Sequence, residues 1–205
     1  MRTTYLAAAL LAMTSVSLAL AGNPARGDQR GEKTAGWVSL FDGHSLKGWK
    51  VTGCEAVVQD GAILLKAGNG LVRSERTYRD FVLEVEWKAL RSDRWDSGIF
   101  FRAGDPPAGS PWPKTYQANL LKGMEGNVND LKAARSEGLT KPGQWNHFKL
   151  TVVGTKAELE INGKPAWKAD GVKTPAGYIA LQAEIPGGGQ FLFRNLRIRE
   201  LNGKR

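Results

Sequence analysis

The sequence predicts an all-β protein of two antiparallel sheets packed face to face, either a sandwich or a jelly roll. From Trp37 onward, short runs rich in β-branched and aromatic residues recur, each bounded by Gly, Pro, Asn or Asp. No run of about a dozen residues carries a helical stripe, although Leu131–Leu139 has room for a turn or two. Asn162-Gly163 separates two extended runs with the tolerance for positive φ that a two-residue type I′ hairpin needs. Without helices to cover a parallel sheet, antiparallel strands must cover one another.

The chain begins with a different material. Arg2 precedes an alanine- and leucine-rich stretch ending in Ala19-Leu20-Ala21, the order of a secretory signal peptide spanning residues 1–21. The stretch is short for a membrane span and has no charged stop behind it. Export to the periplasm or the medium is therefore expected. Asn23 stands where a lipid-bearing cysteine would follow Leu20-Ala21-Gly22, so no lipid anchor is expected. Residues 22–35, rich in Gly and charge, read as a flexible linker, and 36–205 as a single β-sandwich domain.

With 205 residues, 41% of them hydrophobic and 24% charged, the chain is long enough to bury one sizeable core. Cys54 is the only cysteine, so no internal disulfide supports the fold, and it reads as a small buried apolar residue. The net charge of +9 comes from scattered residues without an aromatic-basic motif. This speaks against nucleic acid and leaves an anionic envelope surface as the partner the charge favours.

The extended runs are Ala62–Ala67, Phe81–Ala89, Ser97–Ala103, Tyr116–Leu121, His147–Val153, Ala157–Ile161, Tyr178–Ile185 and Phe191–Leu201. In Phe81–Ala89, Leu83, Val85 and Trp87 alternate with Glu84, Glu86 and Lys88, the pattern of one buried and one solvated face. Three other runs hold polar groups in phase: Asp96 with Arg102, Gln117 with Asn119, and Gln182 with Glu184. On neighbouring strands about 4.8 Å apart these side chains would converge on one sheet face. Such a face suits a sugar, whose hydroxyls take planar partners while Trp95, Trp112 or Tyr178 offers a ring to stack on. The competing reading is an ordinary solvated sheet with surface ion pairs.

Phosphate-binding loops, H-E-x-x-H and G-x-S-x-G are absent from the sequence. His44 and His147 lack a metal-ligand spacing and read as structural or exposed. No metal or cofactor is expected.

WVSLFDGHSLKGWK, DFVLEVEWK, WDSGIFFRA, YQANLL, KPGQWNHFKLTVVGTKAELEINGK and GYIALQAEIPGGGQFLFRNLRIREL, in that order, resemble the blocks of the 3-keto-disaccharide hydrolase domain family over about Gly36 to Leu201. The resemblance implies a concanavalin/laminin-G-type jelly roll and activity on glycosides oxidised to a ketone at carbon 3. The ketone acidifies the carbon-2 proton, so a base removes it, the carbon-1 substituent leaves, and water adds back. Such an enzyme needs a base, an enolate-stabilising group and an acid, but no nucleophile.

Carried over block by block, the resemblance makes Arg102 the oxyanion partner and Glu184 or Asp96 the base, with Gln117, Asn119 and Gln182 binding substrate. The chain departs from the family pattern at Asp96 (for Asn), Gln117 (for Glu) and Asn119 (for Gln). The lost carboxylate at Gln117 keeps two other readings open: a non-catalytic carbohydrate-binding module, and an envelope interaction domain using the basic surface.

Overall fold

A computed structural model describes residues 36–201. The signal peptide and the linker expected from sequence lie outside the described residues. Eleven strands follow in chain order: β1 Val38–Ser39, β2 Trp49–Gln59, β3 Ala62–Tyr78, β4 Phe81–Ala89, β5 Gly98–Ala103, β6 Gln117–Asn119, β7 Asn146–Val153, β8 Lys156–Ile161, β9 Lys164–Asp170, β10 Gly177–Ile185 and β11 Phe191–Glu200. No helix occurs among the described residues, and Leu131–Leu139 forms only turns and bends. The predicted hairpin joins β8 to β9, with Asn162 and Gly163 at φ of 52° and 77°.

The two expected sheets are halves of one continuous antiparallel ladder, ordered β6-β5-β10-β3-β11-β4-β7-β8-β9, with β1 added to β11 and β2 to β3. The 17-residue β3 makes this possible. Its first part, Ile63 to Leu65, pairs with β11, and its second part, Gly68 to Tyr78, pairs with β10. At the change of partner, β3 and β2 bulge together and three glycines meet. Gly68 and Gly53 have φ of 88° and 70°, and a Cβ on Gly70 would strike the Thr52 carbonyl oxygen. Only glycine fits this crossing.

Curling the ladder over itself turns the apolar positions of both halves into one core. Ile179, Leu181 and Ala183 of β10 and Ile99 and Phe101 of β5 come from one half; Leu83, Val85 and Trp87 of β4, Phe148 of β7 and Phe191 and Phe193 of β11 come from the other. Trp87 anchors the second half with its ring 5.6 Å from that of Phe148, edge to face. Cys54 packs partly buried against this core, and burial raises its thiol pKa, as suits an unreactive small residue.

Because Gly70→Ala places a methyl group against the Thr52 carbonyl, it should destabilise the protein by more than about 1 kcal/mol, read as a lower urea midpoint.

Candidate active site on the polar face of β10

Alternation along β10 buries Ile179, Leu181 and Ala183 in the core and turns Tyr178, Ala180, Gln182 and Glu184 to the opposite face. Register brings other strands to the same face. Ala180 pairs with Phe100 of β5, and β5 pairs with β6 through Phe100↔Gln117 and Gly98↔Asn119. Gln182, Gln117 and Glu184 thus meet as expected. Gln117 donates its amide N–H to the Gln182 side-chain oxygen, and Gln182 donates to Glu184 Oε2 at 3.1 Å. The Gln117 amide crosses over Gly98, where any Cβ would collide with it.

Asp96 joins this chain at the Glu184 end. Its N–H donates to the Gly188 carbonyl at 2.9 Å, so the β10–β11 turn is tied beside β5. Gly188 has no room for a Cβ against the Asp96 backbone. Burial pushes the Glu184 carboxyl above its ordinary range and the charge of Asp96 pushes it further. Burial raises the Asp96 carboxyl too, opposed by the Ser97 N–H. The interaction is felt at Glu184, which is buried beside the Asp96 charge and therefore holds its proton more tightly than a free glutamate.

Next to the amides lies a recess of about 170 Å³ lined by Phe100, Trp112, Pro113, Lys114, Gln117, Asn129, Asp130 and Gln182. This is smaller than the roughly 300–1,000 Å³ of a drug-sized pocket and suits one ring rather than a long ligand. Trp112 rests on a small apolar patch of Leu71, Phe100, Ala103 and Ala180 and donates its indole N–H to the Ala183 carbonyl at 3.2 Å. Asp130 stands at the rim with its pKa raised by partial burial. A larger, open recess of 590 Å³ over β7–β9 has no aromatic or amide lining, and its Lys168–Glu158 pair is an exposed ion pair.

The remaining expected site residues lie elsewhere or are already engaged. Arg102 does not share a face with Asp96. The β5–β10 register slips between Phe100 and Ala103, and Arg102 itself has φ of 45°, so one extra residue reverses the alternation. Its guanidinium, 1% exposed, donates to the carbonyls of Arg79, Gly154 and Thr174 and to Asp80 Oδ1 at 2.8 Å. It therefore clamps loops rather than facing the recess. Trp95 is no platform either: it is 2% exposed and belongs to the main core, with Lys122 Nζ 5.1 Å from its ring centre. Tyr178 faces the expected side, but the Arg73 guanidinium lies 3.8 Å over its ring. Asn119 spends its Oδ1 accepting from the Leu121 N–H at 2.6 Å.

Lys114, Asn129 and Asp130 escaped sequence reasoning because they sit on loops without periodicity. The run of turn-forming residues between β5 and β7 was the only hint that so long a connection lined anything. Among the described residues no group of three or more His, Cys, Asp or Glu is placed to hold a metal ion. His147 lies outside this site, with Nε2 3.6 Å from Glu84. No helix among the described residues is long and apolar enough to cross a membrane.

A continuous antiparallel ladder curled over one core defines a jelly roll. Residues 36–199 match the 3-keto-alpha-glucoside-1,2-lyase-like domain, and the chain belongs to that family. In fold it is similar to a candidate glycosyl hydrolase from Parabacteroides distasonis, 19% identical with a TM-score of 0.65 over 83% of this chain and 96% of that one. It is also similar to the carbohydrate-binding module CBM66 from Bacillus subtilis, 16% identical with a TM-score of 0.57 over 73% and 94% of the two chains. A Bacillus licheniformis β-glucanase shares 14% identity and a TM-score of 0.53 over 81% and 97%. No curated protein matches the sequence significantly.

Two outcomes follow from the placements. Arg102→Met should cost about 3–5 kcal/mol by leaving Asp80 and the loop carbonyls without their partner, measured by chemical denaturation. Glu184→Gln should act in the opposite direction. A carboxyl with a raised folded pKa favours the native state below its unfolded pKa, and that contribution is lost as pH rises through the folded pKa. The variant should therefore melt higher than the parent at pH 7 and at the same temperature at pH 4, as followed by circular dichroism.

Proposed function

We propose that the protein is an exported glycoside-cleaving enzyme acting on 3-keto-glycosides, by base-assisted elimination beside the ketone followed by hydration. The observation that carries this reading is the Asp96–Glu184 pair, two carboxyls raised by burial at the end of an amide chain that borders a ring-sized recess. With one of the two carboxyls protonated, the ionised carboxylate takes the carbon-2 proton, and the bonding pair moves into the enolate of the carbon-3 ketone. The protonated partner then gives its proton to the departing carbon-1 oxygen as that bond breaks. As that bond breaks, the enolate pair re-forms the carbon-3 ketone and a carbon-1–carbon-2 double bond is made; water then adds across it, hydrogen to carbon 2 and hydroxyl to carbon 1.

The enolate oxygen needs a positive or hydrogen-bonding partner. Since Arg102 is committed to Asp80 and the loops, Lys114 on the recess lining takes that role in this scheme. Trp112 supplies the stacking surface and the Gln117 and Gln182 amides orient hydroxyls. The withdrawal of Arg102 is also the observation that favours a second reading, a carbohydrate-binding module without turnover, in keeping with the fold it shares with CBM66.

Purified protein incubated with 3-keto-glucosides and with the unoxidised parents should release aglycone from the keto substrates alone. Its pH–rate profile should have two limbs, one from the carboxyl that acts as base and one from the carboxyl that acts as acid. Asp96→Asn should remove one limb and move the Glu184 limb to lower pH, because the charge of Asp96 helps hold the Glu184 carboxyl up. Saturable sugar binding without release of aglycone would establish the binding module instead.

A further inference from the structure

The second recess begins with the residues of β4 whose alternation reads as a plain solvated face. Glu84 and Glu86 point away from the core shared by Leu83, Val85 and Trp87. Opposite them, β11 carries a bulge: Arg194 pairs with Glu86 and Arg197 with Glu84, so Asn195 and Leu196 together oppose Val85. Asn195 has φ of 53°, an uncommon conformation for a residue other than glycine, which turns its amide outward to hydrogen-bond Glu86. The segment around β1 forms a wall, fastened where the Leu40 N–H meets the Leu196 carbonyl at 2.8 Å. The result is a recess of about 470 Å³ whose lining includes Trp37, Glu84, Glu86, His147, Asn195 and Arg197.

Every carboxylate and guanidinium of this lining is already matched. Glu84 accepts from Arg197 Nε at 2.7 Å, and Glu86 accepts from Arg194 Nε at 2.7 Å. Burial pushes the Glu86 carboxyl up, but the bonds from Asn195 and Arg194 outweigh it and hold the pKa below the ordinary range. An ionic ligand would have to break one of these partly buried pairs. A neutral hydroxylated ligand would not, because Glu84 meets Arg197 through Oε2 alone and keeps Oε1 as an acceptor, and His147 adds a polar atom, beside a Trp37 indole whose ring centre lies 4.8 and 5.2 Å from the Arg197 and Arg199 guanidinia. Planar polar groups locked beside an aromatic wall are the chemistry that holds a pyranose ring.

We propose that this outer recess is a second carbohydrate site, specific for neutral pyranose units, which anchors the protein on a glycan independently of the β10 site. The two lie on opposite sides of one core, backed by Leu83 and Val85 in one case and by Leu181 and Ala183 in the other. Its occupancy does not depend on the reaction proposed above.

The test is affinity gel electrophoresis of the full chain and its variants in gels cast with neutral polysaccharides (β-glucan, xylan, dextran, galactomannan) and with polygalacturonate, at low and high salt. The expected result is retardation by a neutral polysaccharide, insensitive to salt and weakened about tenfold by Trp37→Ala or Glu84→Gln. Lys168→Ala, in an exposed ion pair outside both sites, should leave the retardation unchanged. Thermal melts identify any variant that has not folded; should Glu84→Gln be one, His147→Ala takes its place. No retardation by any neutral polysaccharide overturns the proposal. So does retardation by polygalacturonate alone that salt abolishes, or retardation that only Gln182→Ala removes.

Discussion

The structure depends on one strand having two sets of neighbours. β3 pairs with β11 before Ala67 and with β10 after it, and without this exchange the ladder would be a single open sheet with one apolar face in water. The exchange is a backbone problem before it is a packing problem. Thr52, Gly53, Gly68 and Gly70 approach so closely that a side chain at either end would collide with a carbonyl, and two of the glycines take positive φ as well. Once the crossing is made, hydrophobic burial does the rest. The apolar positions of β10 and β5 face those of β4, β7 and β11, and the core closes without disulfide, metal or helix among the described residues.

The same exchange decides where polar chemistry can stand. A strand of period two that buries one side chain must present the next, so closing the core creates two outer polar faces at once. On β10 that face is built inward by contacts from other elements: Gln117 across Gly98, Trp112 over the Ala180 patch, and the Gly188 turn against Asp96. The glycines at 98 and 188 matter because they remove the Cβ atoms that would hold these elements apart. The enclosure desolvates Asp96 and Glu184, and this is why two carboxyls on a sheet surface are raised while Asp42, hydrogen-bonded in an exposed turn, is lowered to about 2.

Much of this was legible from residue order. The bounds of β4, the burial phase of β10 and the convergence of Gln117, Gln182 and Glu184 follow from strict alternation, which the fold keeps there, and the turn of the β8–β9 hairpin follows from Asn162-Gly163. What alternation could not reveal is where it breaks. Arg102 is in phase with Asp96 by count and out of phase in space, because a single inserted residue at positive φ reverses every position beyond it. β2 was missed since Gly53 interrupts it and it has only β3 as a neighbour, which leaves its burial irregular. Trp95 precedes β5 outside any periodic run, so nothing local told its burial from that of Trp112.

The displacement of Arg102 has a consequence for mechanism that the carboxylate pair alone would hide. A guanidinium beside Asp96 and Glu184 would favour ionisation of both and leave neither to act as an acid. Its removal to Asp80 leaves burial to raise both groups, against the Ser97 N–H at Asp96 and with the charge of Asp96 adding to the rise at Glu184. The same change withdraws the strongest oxyanion partner from the recess, so an elimination there depends on Lys114, a flexible point charge on a loop, for enolate stabilisation. Lys114→Met therefore separates the two readings of the site. In an enzyme it should depress turnover of keto-glucosides by about 10²–10³-fold, the usual cost of losing one oxyanion donor, while sugar affinity changes little. In a binding module the same substitution would have only affinity to alter. A fall in turnover with unchanged KM would assign Lys114 to the transition state, because the enolate charge it meets exists only there.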